Sequence, residues 1–455
     1  MVTGRSKAVA SLMALALLFS SACSQRDDDD DTSSGGDGGG DESSSIDTAD
    51  CGSDPTQEIE GDTIKVVSSY PQSGNAASLA EVAAGWQAYF ETVNADGGVE
   101  IAGNTYQIET EALDDEYDPG QTATNISELV GADGSGAFAV FAAIGTAGNL
   151  AIREQLNDLC IPQISAASGS PAWGNPDYPW TVGGTNPVYT LEAQVFVDLL
   201  EQEVPDAKIA MLVQDDDFGT AYEEGVAQAI EGTDMEIVEV QRYAPGVLTD
   251  VSPQMSTLTA SGADVFFDGA VGLPCAQGVT AAAEANWERA ITWISSVCPS
   301  KTVLSQAPEA FADAYTVGNL KNPMDPAFDD DENMNAFREA MEEYSPETDI
   351  QSGNAAFGWT DAALFVKALE EAEAPTRLAV IESYADIEAD AETGLLADDV
   401  TVQLGEDDRY LGEQLDLSQF NYESADSWYV TRTDAEVYDF NGETVDLTPE
   451  NLIMG

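Results

Sequence analysis

The sequence predicts an α/β protein of two doubly wound lobes, each a parallel sheet with helices on both faces. Two observations predict it. Short apolar runs alternate with segments of helical periodicity from residue 62 onward, and the same alternation starts again after Ser170. Repeated β-α units of this kind build parallel sheets. Two such series in one chain mean two lobes, with ligands held at the carboxyl ends of the strands, in the crevice between them.

The elements follow in order. Ile64–Val67 is a short strand, and Leu79–Val93 is a helix whose Val82, Trp86, Tyr89, Phe90 and Val93 recur at three- and four-residue spacings on one face. Asn94–Gly98 stops it. Tyr106–Leu113 alternates as a strand, Gln121–Val130 is helical, and Phe138–Phe141 is a buried strand. The second series places strands at Ile209–Val213, Met235–Val240 and Asp264–Phe267, with helices beginning near Phe218 and Pro253.

Ahead of these lie two segments of another character. Arg5 and Lys7 precede an apolar run, Ala8–Phe19, that is too short for a membrane span and reads as an export signal. It ends in Ser20-Ser21-Ala22-Cys23, which resembles a bacterial lipobox, with Ser20 standing where Leu is usual. On that resemblance residues 1–22 are removed, Cys23 is lipidated, and the protein sits on the outer side of a cell membrane. Ordinary signal cleavage leaving a thiol at Cys23 is the alternative. Residues 23–61 are Asp, Gly and Ser almost throughout and are expected to form a disordered tether.

Charge excludes several function classes. The chain has 84 acidic and 15 basic residues. Thirteen acids and one base lie between Cys23 and Gly61 and two bases in the leader, so the body from Asp62 carries 71 acids against 12 bases, a net charge of −59. Nucleic acid is excluded as a partner, because phosphate binding needs clustered Lys and Arg. So acidic a surface fits a saline or alkaline exterior; high solubility alone is the plainer explanation. There is no histidine, which removes His-based triads, His metal sites and imidazole acid–base catalysis. With so many acids, an Asp/Glu pair suited to a hydrolase arises by chance, and no nucleophile elbow, P-loop or metal motif is present. No catalytic residue, metal or cofactor is expected.

The turns between the elements carry a family resemblance. In order they are Tyr70-Pro71-Gln72-Ser73-Gly74, Asn94-Ala95-Asp96-Gly97-Gly98, Asp114-Asp115 with Asp118-Pro119, and Gly145-Thr146-Ala147-Gly148-Asn149. Ser165-Ala166-Ala167-Ser168-Gly169, Asp215-Asp216-Asp217-Phe218-Gly219 and Ser261-Gly262-Ala263-Asp264 follow. Each is weak alone; their order from about Asp62 to Tyr429 resembles the branched-chain amino-acid (Leu/Ile/Val-type) substrate-binding proteins of ABC importers. The resemblance implies a type I periplasmic-binding-protein fold with a hinge of three chain crossings. Lobe one is then 62–183 plus 322–408, and lobe two is 184–321 plus 409–455. It also implies a small-molecule ligand (an amino acid, amide or related compound) and an ABC permease and ATPase as partners. A ligand-sensing receptor on the same fold is the alternative function.

It implies site residues as well. The family anchors the ligand's carboxylate on the loop at Gly145 and Thr146, where helix N-terminal N–H groups favour an anion; as residues alone, Thr146 reads equally as an N-cap. Ala166, Ala167 and Ser168 fall at the second anchor, with turn chemistry as the plainer role for Ser168. Phe218 is the lobe-two aromatic, or else a staple for its own helix. Trp359 stands near a cleft aromatic, or else packs in a helix core, and Trp173 is a candidate lid. The carboxylate that pairs with an α-ammonium has no counterpart in Ile294–Cys298, so either another acid such as Asp268 serves or the ligand is not a free α-amino acid. With Cys23 lipidated, four cysteines allow three pairings. Cys275–Cys298, both in lobe two and flanking one β-α step, is the expected bridge, with Cys51–Cys160 left by default.

Overall fold

The computed structural model describes residues 46, 48–246, 250–405, 408–433 and 435–455; the leader and Cys23 lie outside them. The first series builds β1 (Thr63–Tyr70), α1 (Ala80–Ala95), β2 (Val99–Ile101), β3 (Asn104–Asp114) and α2 (Pro119–Val130). It continues through β4 (Ala139–Phe141), α3 (Thr146–Asp158), β5 (Gln163–Ala166) and β6 (Thr181–Gly183). These strands form one sheet in the order β2-β3-β1-β4-β5-β6, parallel except for the β2–β3 hairpin.

The second series builds α4 (Tyr189–Glu203), β7 (Lys208–Gln214), α5 (Asp217–Ala229), β8 (Glu236–Tyr243), α6 (Ser252–Leu258), β9 (Val265–Gly269) and α7 (Leu273–Glu284). Then come β10 (Ile291–Ile294), α8 (Lys301–Leu304) and β11 (Tyr315–Gly318). The chain returns through α9 (Glu332–Tyr344), α10 (Gly353–Glu371), α11 (Arg377–Ala385) and the small β12 (Glu388–Ala389) and β13 (Val402–Gln403) pair. Finally β14 (Gln414–Ser424) and β15 (Ser427–Arg432) complete the second sheet, in the order β15-β14-β11-β10-β9-β7-β8. Both sheets are mixed α/β with parallel centres, as expected for the type I periplasmic binding fold.

Local chemistry explains the boundaries. The Asp118 carboxylate accepts from Gln121 N at 2.9 Å and Pro119 opens α2; Asp216 caps α5 through Gly219 N at 3.2 Å, and Ser352 caps α10 through Ala355 N at 3.1 Å. α10 lies directly on α1 because glycine stands at the crossing. A Cβ on Gly85 would lie 1.9 Å from Ala355 O, and one on Gly358 equally close to Val82 O. That contact brings the second excursion of the chain back to the first sheet.

Three crossings join the sheets, and their backbones are tied together. Val188 N donates to Gly412 O at 3.1 Å, and Asn319 Nδ2 to Thr185 O at 2.6 Å. Thr185 donates through N and Oγ1 to the buried Asp361 carboxylate at 3.0 and 2.8 Å.

The segment before β1 departs from expectation. Its described part is not a loose tether: Cys51 is bridged to Cys160, Gly52 N donates to Asp158 O at 2.7 Å, and Ile59 N to Pro375 O at 2.9 Å. Arg377 Nη1 donates to Ser53 Oγ at 3.0 Å. The composition is poor in apolar residues, but a covalent bridge, backbone hydrogen bonds and the packing of Ile46 and Ile59 on the core hold this stretch of chain in place. The second bridge joins Cys275 to Cys298. No helix among the described residues is long and apolar enough to cross a membrane.

Candidate functional site

A cleft of about 1010 Å³, part of it open to solvent, lies between the lobes and the hinge. Lobe one lines it with Leu79, Val82, Tyr117, Ile144, Gly145, Ala167 and Phe357. Lobe two adds Tyr189, Phe218, Val271, Ser296 and Val297, and the hinge adds Asn186, Thr316, Lys321 and Asp416. The lining is mainly apolar with a few polar groups, the usual make-up of a small-molecule site.

Contacts between the lobes surround this cleft. On one rim the Glu81 carboxylate, from α1, accepts from Ser300 Oγ at 3.0 Å and Thr302 Oγ1 at 2.7 Å across the gap. Nearby, Leu273 N donates to Asn75 O at 3.3 Å. On the other rim the Tyr117 phenol meets Gln214 and faces Asp216 of lobe two, and burial pushes it well above the ordinary tyrosine range. The lobes are therefore in contact on both sides of the cleft: the form is closed.

The expected site residues divide. Gly145, Ala167 and Phe218 line the cleft. Gly145 is the N-cap of α3, with φ +98°, and a Cβ there would come within 2.8 Å of the Tyr117 ring. Thr146 is the first residue of α3 and makes no side-chain cap. Instead its Oγ1 bonds Ser168 Oγ at 2.7 Å, with both side chains buried one layer beneath the lining. Ser168 Oγ also accepts from Ser170 N at 3.1 Å. Ala166 is fully buried at the end of β5, behind Ala167. Phe218 both lines the cleft and packs edge-on against Tyr189 and Tyr222, with centroids 5.2 and 5.3 Å away.

Two expected aromatics lie elsewhere. Trp359 packs between Tyr89 and Phe337, at 4.8 and 5.7 Å, in the core under α9 and α10. Residues two apart on a helix face different ways, and it is Phe357 that reaches the cleft. Trp173 is no lid: it is buried, and its Nε1 donates to Ser168 O at 2.7 Å, buttressing that loop from behind.

The acids were harder to place from sequence. Asp268 is buried beneath α7, where a Cβ on Gly278 would come within 2.6 Å of it, and it does not reach the cleft. Behind Ser296 stands Glu192 of α4, which accepts from Ser296 N, Trp293 Nε1 and Tyr222 OH at 3.1, 2.9 and 2.8 Å. Burial pushes it up to about 7, against the pull of those donors. Among the described residues, Asp416 of β14 is the one carboxyl in the lining. Its Oδ1 accepts from Ser418 Oγ at 2.9 Å, and its Oδ2 meets Arg432 Nε only at 3.5 Å. Burial outweighs Arg432 and raises it to about 7. Lys321, the one cation in the lining among the described residues, is held by Asp331 and Asp398 at 2.8 and 3.1 Å. Among the described residues no cluster of His, Cys, Asp or Glu is placed to hold a metal.

The comparisons agree with this geometry. A family model described as periplasmic binding protein matches residues 63–404. No curated protein matches the sequence. Solved structures do. A branched-chain amino acid ABC transporter protein from Thermus thermophilus with bound valine superposes with a TM-score of 0.71 at 17% identity, over 84% of this chain and 97% of that one. A fatty acid ABC transporter substrate-binding protein from Thermomonospora curvata gives 0.69 at 19% identity, over 83% and 94%. A solute-binding protein from R. palustris in complex with 4-hydroxybenzoate gives 0.68 at 17%, over 84% and 99%. At such identities the likeness is one of fold. The family match covers three-quarters of the sequence, and the chain belongs to the periplasmic binding protein family, whose members bind solutes outside the cytoplasm and are not enzymes.

Proposed function

We propose that this chain is the substrate-binding component of an ABC importer, tethered to the outer face of the membrane by lipid on Cys23, and that it closes over a small amino-acid-like or related polar ligand. The observation that carries the proposal is the cleft itself: both lobes line it, hydrogen bonds from Glu81 join the lobes on one side, and Tyr117 stands against lobe two on the other. Such a cleft binds by hinge closure and releases when the lobes part.

The ligand's polar head lies at the junction of Gly145 and Ala167, facing the uncapped first turn of α3, with the buried Thr146–Ser168 hydroxyl pair directly below. Helix N-terminal N–H groups favour a carboxylate or an amide oxygen there. The apolar body then lies against Leu79, Val82, Phe218 and Phe357. Valine, a fatty acid and 4-hydroxybenzoate, the compounds named for the structural relatives, are all carboxylates on apolar bodies. A donor group on the ligand, amide or ammonium, finds Asp416 on the hinge side. A thermal-shift screen of amino acids, amides and aromatic carboxylates tests the proposal. A true ligand at a hundredfold excess over Kd stabilises the fold by about 2.7 kcal/mol; no shift with any class would count against it. Wild type should take up labelled fatty acid and fractionate with membranes, and Cys23→Ala should do neither.

A further inference from the structure

We infer that Tyr117 is the end wall of the ligand cleft and sets the length of ligand it accepts. The inference rests on the cleft being the binding site, as proposed above.

A second pocket, about 320 Å³ with part of it open to solvent, lies beyond the Gly145 end of the cleft and is called the chamber below. It is walled by Pro119, Thr122, Ala147 and Gly148 of lobe one and by Asp216 and Pro245 of lobe two. Tyr117, Ile144 and Gly145 line both spaces. Of these three, Ile144 belongs to the buried floor, paired in a β-bridge with Ala167, and Gly145 has no side chain. Among the described residues, Tyr117 is the one ring that lines both cleft and chamber. It lies so close to Gly145 that a Cβ there would sit 2.8 Å from a ring carbon.

The loop is built to hold the ring in that place. Glu116 and Tyr117 both have left-handed backbones, with φ of 52° and 64°, a conformation that costs energy for side chains of this size. Asp115, fully buried, secures the turn: its Oδ1 accepts from Tyr117 N at 2.9 Å, and its Oδ2 from Ser69 Oγ at 2.9 Å and Thr122 Oγ1 at 3.0 Å. The strained loop places that ring between two cavities, against a glycine, with its phenol on Gln214 of the opposite lobe. A ligand anchored by its head at Gly145 and growing toward this end therefore meets Tyr117, and a smaller residue would open the chamber to it.

The test is calorimetry with three homologous series: straight-chain 2-amino acids, straight-chain monocarboxylates and straight-chain amides, each lengthened one methylene at a time. Wild type should show an optimum length in the series it binds, with affinity falling beyond it. In Tyr117→Ala affinity should keep rising past that optimum, by about fourfold per methylene entering the chamber, the equivalent of about 0.8 kcal/mol each. A probe two methylenes past the wild-type optimum should bind at least about tenfold more tightly to the variant. Tyr117→Leu, which keeps an apolar side chain on the loop, should move the optimum by a smaller step, and Tyr117→Phe should leave it in place. An unchanged optimum in both the Ala and Leu variants, with native circular dichroism, would overturn the inference alone. If wild type binds no member of any series, the inference falls; the proposed ligand class falls with it only if aromatic carboxylates fail to bind as well.

Discussion

Thr146 Oγ1 and Ser168 Oγ, from two neighbouring strand ends of lobe one, lie 2.7 Å apart and hydrogen-bond to each other under the floor of the cleft. Each hydroxyl therefore holds the other's loop, and both loops, through Gly145 and Ala167, line the cleft. Groups sharing one hydrogen bond do not act independently. Thr146→Ala and Ser168→Ala should each weaken ligand binding by up to about tenfold, the upper end for the loss of a neutral hydrogen bond that positions both loops. The double variant should lose little more than either single one. Calorimetry on the three proteins checks this; multiplying losses would mean two independent contacts.

Glu81 links α1 of lobe one to Ser300 and Thr302 of lobe two. It also accepts from Ser352 Oγ of its own lobe at 2.5 Å, so its carboxylate is held in place with or without closure. Because Thr302 is exposed, water competes for its bond, and the two lobe-crossing bonds together are worth about 1.5 kcal/mol. Glu81→Ala should therefore shift the open–closed balance about tenfold toward open. Small-angle scattering should show a larger radius of gyration than wild type under the same conditions, and ligand affinity should fall in proportion.

Stability should fall as pH rises toward neutrality. Glu192, Asp361 and Asp416 are buried, and burial raises each to about 7 from ordinary values of 4.5, 3.8 and 3.8. Each folded pKa is raised, so the folded state binds more protons than the unfolded state between about pH 4 and 7. Their contribution is fully present below the unfolded values and is lost as pH rises through the folded ones. The change for each group is on the order of a few kcal/mol. Melting temperature should be higher at pH 5.5 than at pH 8, and Asp361→Asn should flatten the slope.

Salt should act in a separable way. The body from Asp62 carries 71 acids and 12 bases, and the Debye length falls from about 10 Å at 0.1 M to about 3 Å at 1 M. Melting temperature at pH 8 should rise markedly between about 0.05 and 1 M salt. A flat profile would mean that like-charge repulsion does not limit this fold.

The fold was legible because its signals are periodic. The face Val82, Trp86, Phe90 and the apolar run Phe138–Phe141 read directly as α1 and β4. The cleft was only half legible. Gly145, Ala167 and Phe218 follow strand ends, where the parallel sheet puts its ligands. Tyr117, Tyr189, Phe357 and Asp416 also line it, and nothing local marks them. Tyr117 depends on a left-handed turn secured by Asp115, Phe357 on which side of α10 meets α1, and Asp416 on the register of β14 against β11, where it stands opposite Gly318. Trp359 shows the converse: its neighbours in sequence point to the cleft, while its side chain fills the helix core. The Cys51–Cys160 bridge was an expected pairing, but the pinning of residues 52–61 to lobe one was not legible, because the backbone hydrogen bonds of Gly52 and Ile59 leave no mark in composition.

The most direct test of ligand capture in the cleft is isothermal titration of the intact protein with amino acids, amides and aromatic carboxylates, repeated on Phe218→Ala and Thr146→Ala. One class should bind wild type with a stoichiometry of about one. Thr146→Ala should weaken that binding by up to about tenfold, and Phe218→Ala should change the order of preference within the class while the fold stays intact. Binding by wild type that both variants leave unaltered would place the ligand outside this cleft and contradict the proposed site.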